Sequence, residues 1–206
     1  MILCDREIEL ALEQQRLIIK PDPDPKFMDS MTVDLRLDGT LDQWEFPESD
    51  ASIGQSGLRF RPGLPNFRFS DLENKYTKPT TITETQGYDL APLPPRNFVL
   101  GWTLERIYLP HTSRLCARVE GKSSMARLGL GVHVTAPTIH AGFGFNPNNQ
   151  ADQGTRLRLE IWNVGPLPIE LVKGMRICQL IVEEVREVPK ADYQGQFNIQ
   201  GPEPRT

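Results

Sequence analysis

The sequence predicts an all-β protein, a barrel or jelly roll preceded by one short helix. Three observations carry this. From Phe98 onward, short runs rich in β-branched and apolar residues follow one another with turn residues between them. One of these, RLRLEIWN, alternates cleanly, with Arg156, Arg158, Glu160 and Trp162 on one face and Leu157, Leu159 and Ile161 on the other. Helical periodicity is confined to the first residues.

In chain order, Asp5 to about Arg16 reads as an amphipathic helix with Asp5 as N-cap and acidic residues in its first turn. Ile8, Ala11 and Leu12, with Ile2, supply its apolar stripe. PDPDP, from Pro21 to Pro25, is compatible with neither a helix nor a central strand and reads as an extended linker. MTVDLRL alternates as a strand, with Val33, Leu35 and Leu37 on its buried face. Residues 38–97, rich in Pro, Gly, Asp, Ser and Thr, read as short strands and long loops. Trp44, Phe46, Phe60, Phe67 and Phe69 are expected there as anchors of a loop-rich core. FVLGWTLERIYLP, SRLCARVEG and GVHVTA are the next strands, and PIELVKGMRICQLIVEEV supplies two more around Lys173-Gly174. The tail from Asp192 is polar and aperiodic, which by itself reads as disorder. One domain over 1–190 and a flexible tail over 191–206 is the organisation expected of 206 residues.

Composition narrows the function. A formal net charge of -4 and 38% hydrophobic residues describe a globular chain with a real core, not a general nucleic-acid binder. No apolar run approaches the ~20 residues of a membrane span. Asp5, Glu7 and Glu9 exclude a signal peptide at the N-terminus. Cys4, Cys116 and Cys178 are odd in number and widely spaced, which fits a reducing cytoplasm. His111, His133 and His140 have no zinc-site spacing.

The chemistry concentrates in Gly121–Thr135, GKSSMARLGLGVHVT. Lys122 and Arg127 can neutralise charge, Ser123 and Ser124 can donate hydrogen bonds, and Gly121 allows close backbone approach. Together they suit a triphosphate. The order of residues is not that of a Walker A loop. On residue types alone, a polar turn between two strands remains an equal reading.

This stretch resembles the G-[RK]-S-S-x-A-R-L-G-L-x-V-H-x-T-A segment of dCTP deaminases, which share a superfamily with trimeric dUTPases. LCDREIELAL, MTVDLRLDG, FVLGWTLERIYLP, LRLEIWN, KGMRICQLI and YQGQ resemble further family segments, in the family's order. The resemblance implies a dUTPase-like distorted β-barrel or jelly roll, a homotrimer, dCTP or a related deoxynucleotide as substrate, and Mg²⁺ carried on the triphosphate. The H-x-E…P-C-x-x-C signature of zinc nucleobase deaminases is absent, so no zinc is expected.

It also implies roles. Glu160 falls on the proton-shuttling glutamate, although pattern alone favours a solvated strand face with cross-strand ion pairs. Ser123 and Arg127 hold the attacking water or balance its charge. Lys122, Ser124, Met125 and Ala126 of the loop, and Arg158 and Leu159 beside the glutamate, stand among the nucleotide contacts. His133 lies near the base, where residue type alone suggests a structural histidine. Tyr193 and Gln196 match the tail residues that cover the phosphates. Three departures stand out. His140 replaces an acidic residue expected beside the deoxyribose. About ten extra residues, Asn146 to Thr155, read as an exposed hairpin loop. Asp192 replaces a lysine. The function expected is zinc-independent deamination of dCTP to dUTP and ammonia, with possible continuation to dUMP. A dUTP pyrophosphatase and a non-catalytic nucleotide-binding trimer are the alternatives.

Overall fold

The computed structural model describes residues 1–46, 60–65, 67–85, 87–132, 136–148 and 153–190. His133, Tyr193, Gln196 and the 191–206 tail lie outside the described residues.

Period-two alternation becomes sheet structure where the sequence shows it best. The strands expected from Phe98 onward form as β8 (Phe98–Tyr108), β9 (Leu115–Gly121), β10 (Leu130–Val132), β12 (Thr155–Asn163), β13 (Ile169–Val172) and β14 (Arg176–Glu184). Short β11 (Thr138–Ile139) lies between β10 and β12. Earlier in the chain are β1 (Ile18–Lys20), β2 (Met28–Asp29), β3 (Thr32–Arg36), β4 (Thr40–Trp44), β5 (Thr77–Thr81), β6 (Thr83–Thr85) and β7 (Tyr88–Leu93). One sheet runs β10-β12-β8-β4-β5, with β1 also on β8; a second runs β11-β9-β14-β3-β2; a third, small one runs β13-β7-β6. Every pairing is antiparallel.

The core lies between the two large sheets, where Val33, Leu35, Leu37, Leu157, Leu159 and Ile161 are all buried. The all-β class and the faces assigned to MTVDLRL and RLRLEIWN therefore hold. A bridge between Leu37 and Thr103 joins the sheets at one corner. Near it, Glu105 is 3% exposed and accepts from Arg36 twice, from its amide N at 2.8 Å and from Nε at 2.6 Å. This carboxylate reaches inward beside an irregularity in the β8–β12 register at Arg156/Arg158. The Thr103 hydroxyl fills that gap, accepting from Leu157 N and donating to Glu105 O.

Several local expectations change. The first helix, α1, spans Asp5–Glu13 and starts one residue earlier than expected, with Cys4 as N-cap. The reason is Glu7, whose carboxylate accepts from the Cys4 amide at 2.9 Å and thereby falls below the usual carboxylate range. Ile8 and Ala11 are buried as expected, but Ile2 is 40% exposed and bridges to Glu183 instead. The proline segment is not wholly extended, because a 3-10 turn opens at Pro25, where a fixed φ suits a helix start.

Residues 38–97 contain a second helix, α2 (Phe69–Tyr76), where loops and strands were expected. Trp44, Phe46, Phe60, Phe69 and Tyr76 form a chain of ring contacts 5.5–6.3 Å apart. Phe46 and Phe60 remain 44% and 46% exposed, so this is a surface cluster and not part of the core. The Asn146–Thr155 insertion also ends sooner than expected, since Thr155 is buried and already belongs to β12. Its base is closed by Gln153, which accepts from Asn146 N and donates to Asn146 O.

Glu105→Ala should therefore destabilise the protein by roughly 3 kcal/mol, because it strands a largely desolvated arginine and a backbone amide. Glu105→Gln should cost less. Urea denaturation of the three proteins checks this, and equal midpoints would remove Glu105 from the joint between the sheets.

Candidate active site

The Gly121–Leu130 stretch leaves β9 and enters β10 through a short helix, α3 (Ser123–Ala126), where a turn was expected. Ser123, Ser124, Ala126 and Arg127 are exposed, and Met125 is half-buried against the core. The Ser123 carbonyl accepts from the Arg127 amide at 3.2 Å. Ser123, Ser124 and Arg127 thus sit together on one tight turn, open to solvent.

Lys122 is turned differently. Its Nζ pairs with Asp34 Oδ1, and the second oxygen of Asp34 takes Arg176 Nη1 at 3.1 Å. Asp34 is 8% exposed and lies on β3 opposite Gln179 of β14. One desolvated carboxylate therefore ties the loop lysine to the arginine of KGMRICQLI. Three of the quoted sequence segments meet here, through Lys122, which the sequence analysis singled out, and through Asp34 and Arg176, which it did not.

Glu160 lies on β12, two strand positions from Arg158 and Trp162, and all three point away from the core. Glu160 is half-buried and sits opposite Leu100 of β8. Leu100 in turn faces Asp42 of β4, so glutamate, leucine and aspartate form one cross-strand row. This outer face is not simply solvated: Leu100 and Trp102 are 4% and 8% exposed. The Arg158 guanidinium stacks on Trp102 at 4.3 Å, and its Nη2 donates to Asp42 Oδ2 at 2.6 Å and to Glu73 Oε1 of α2 at 2.8 Å. Leu159 is fully buried among the core residues, so only its backbone faces the strand edge. His140 is exposed and follows β11, in the other sheet, and its carbonyl accepts from Phe143 N.

Strand β10 connects the loop to the glutamate strand, pairing Leu130, Gly131 and Val132 with Asn163, Trp162 and Ile161. A side chain at Gly131 would collide with the Trp162 ring, only 2.2 Å from an ideal Cβ, so glycine there lets the indole lie flat across β10. Below it, Asn163 is fully buried. Its Nδ2 donates to the Leu93 and Leu167 carbonyls, and its Oδ1 accepts from Gly165 N at 2.8 Å. The turn it shapes presses Gly165 against Gly129, just after the Ser123–Arg127 loop, where Val164 N donates to Gly129 O at 2.9 Å. Asn163 thus holds the loop and the glutamate strand in register. Its place in L-E-x-x-N was the only signal the sequence offered.

The thiols stand outside this chemistry. Burial pushes the Cys178 thiol far up, and burial with Glu183 raises that of Cys116. Among the described residues, no group of three or more His, Cys, Asp or Glu is placed to hold a metal ion. No helix among the described residues is long and apolar enough to cross a membrane.

Asn163→Ala should cost roughly 3 kcal/mol, the scale of stranding two or more buried backbone groups. It should also raise the amide exchange rates of Leu128 to Gly131 above those of β1, which pairs with the opposite end of β8. Unchanged protection across the loop would separate Asn163 from it.

Comparison with known proteins places these features. The dCTP deaminase-like family model matches residues 2–185. A "dCTP deaminase, dUMP-forming" of Methanosphaera stadtmanae is 33% identical over 93% of this chain and 83% of its own length. A protein of the same name from Thermobifida fusca is 33% identical over 99% and 91%. A crystal structure of 2'-deoxycytidine 5'-triphosphate deaminase from Agrobacterium tumefaciens superposes with a TM-score of 0.61 at 22% identity, covering 89% of this chain and 48% of that one. The shared fold is what this last likeness shows.

Proposed function

Because the chain belongs to the dCTP deaminase-like family, we propose that it is an enzyme that deaminates dCTP to dUTP and ammonia without zinc. The observation that carries this reading is Glu160, a half-buried carboxylate projecting from β12 beside the strand that leads out of the Ser123–Arg127 loop. Deamination at C4 of cytosine needs a water proton removed, N3 protonated, and a proton delivered to the departing nitrogen. One carboxyl group performs all three in turn. It takes the proton from water as oxygen attacks C4 and passes it to N3. It then takes the proton of the new C4 hydroxyl and delivers it to the amino group, so that the C4 carbonyl forms as the C4–N4 bond breaks and ammonia leaves. A positioned shuttle of this kind is worth roughly 10²–10⁴ in rate. Ser123 and Arg127 hold the water or balance its charge, and Ser124 and Lys122 receive the phosphates. Mg²⁺ enters as part of the substrate, on the triphosphate. His133, Tyr193 and Gln196 take the base and phosphate contacts expected of them. The Asp34–Lys122 pair means that phosphate competes with a protein carboxylate for the lysine.

The names of the relatives support a second step, release of pyrophosphate to leave dUMP. At position 140 an imidazole stands in place of the expected carboxylate, which would have helped orient a water toward phosphorus. We therefore place that step second and slower. Self-association as a homotrimer is supported by the exposed Leu128, Val164 and Leu167 around the loop, 60%, 74% and 70% accessible in the single chain. The setting we propose is cytoplasmic pyrimidine deoxynucleotide metabolism.

Glu160→Gln should abolish ammonia release from dCTP while dCTP still binds by calorimetry; turnover near that of the unaltered protein would exclude Glu160 as the shuttle. Ammonia and pyrophosphate assayed side by side should show ammonia appearing first and faster. Pyrophosphate from dUTP with no ammonia from dCTP would identify a pyrophosphatase, and binding without either product a nucleotide-binding protein. Light scattering at micromolar concentration should give three chains per particle, and a monomer would defeat the trimer.

A further inference from the structure

We propose that Glu73 of α2, together with Asp42, is a positioning and charge-balancing device for Glu160, acting through Arg158; the proposal rests on Glu160 being the shuttle. Side chains two apart on a strand share a face at about 7 Å. A guanidinium on the same strand face favours the charged form of a carboxylate it reaches, and a shuttle must give its proton back as readily as it takes it. The structure shows how the cation is restrained. One nitrogen of Arg158 is shared by Asp42 at 2.6 Å and Glu73 at 2.8 Å, and the planar group lies on Trp102. Its side chain is 11% exposed, and that of Asp42 6%, so these charges act through a poorly screened medium. Glu73 is the more open partner at 25%.

The two carboxylates come from separate parts of the chain. Asp42 lies in the same cross-strand row as Glu160, beyond Leu100. Glu73 is brought by α2, whose Phe69 packs edge-on against Trp44 and whose Glu73 carbonyl accepts from the Thr77 hydroxyl. The helix thus has a task at the candidate active site, and the task is carried by one residue. Among the described residues, the charged groups on this face include Arg158 and the more distant Arg156 on β12, Asp42 on β4 and Glu73 on α2. Strand β8 presents Phe98, Leu100 and Trp102, which do not titrate. Strand β10 places Gly131 opposite Trp162, buries Val132 in the core and leads in sequence to His133.

The balance has a signature of sign. Glu73→Gln keeps a hydrogen-bonding group against Arg158 but removes a negative charge, so the ionised form of Glu160 is favoured. The acid limb of the kcat–pH profile should then move to lower pH by about half to one unit. Arg158→Met leaves the carboxylates unopposed, and the same limb should move up by a similar amount. The profile of kcat is the one to measure, because it reports the enzyme–substrate complex. The double variant should return toward the original position. Purely structural damage would lower kcat at every pH without moving the limb. A limb that stays put in both single variants, or moves the same way in both, overturns the proposal. Activity retained in Glu160→Gln would instead overturn the shuttle assignment, so the two failures are distinct. Thermal melting of each variant checks that the compared proteins are folded.

Discussion

The antiparallel pairing of β12 with β8 is the constraint from which the rest of the molecule follows. It places Leu157, Leu159 and Ile161 in the core and sends Arg158, Glu160 and Trp162 to the opposite face. A register slip of one residue would exchange these sets, burying a carboxylate and an arginine among aliphatic side chains. The apolar half of the strand therefore enforces the placement of the polar half. Position at the candidate site is a by-product of packing, with no dedicated scaffold.

Two further devices make that position usable. Asn163 closes the strand with three side-chain hydrogen bonds and presses its turn against Gly129, just after the Ser123–Arg127 loop. Asp34 reaches across from the other sheet and ties Lys122 to Arg176. Loop, glutamate strand and second sheet thus share desolvated polar contacts, which are costly to leave half-made. A buried polar group in this fold acts as a joint between elements, as Glu105 also does with Arg36.

The outer face of the sheet shows where the molecule departs from a plain two-sheet arrangement. Leu100 and Trp102 would be solvated on an open sheet, yet both are buried, Leu100 between Glu160 and Asp42 in the cross-strand row and Trp102 beneath the Arg158 guanidinium. The region that looked least informative in sequence thereby supplies Glu73, in contact with the residue two positions from Glu160.

Much of this was legible in the residues alone. Strict alternation in RLRLEIWN and MTVDLRL determined which side chains face the core, because the pleat repeats every two residues whatever lies beyond. The strands after Phe98 could be read for the same local reason. Helix α2 was not read, although Phe69, Leu72 and Tyr76 recur at helical spacing, since it is only eight residues long, lies in a region rich in Pro and Gly, and has no buried residue. The start of α1 moved by one residue because a carboxylate three positions on selected its cap. Asp34, Asp42, Asn163 and Glu73 read as ordinary polar positions, since a sequence shows a residue's type and not its distant partners. Arg158 and Glu73 are 85 residues apart in the chain and 2.8 Å apart in space. Only the tertiary structure could bring those charges together, because the energy that pairs them depends on separation and burial, and neither is written in local sequence.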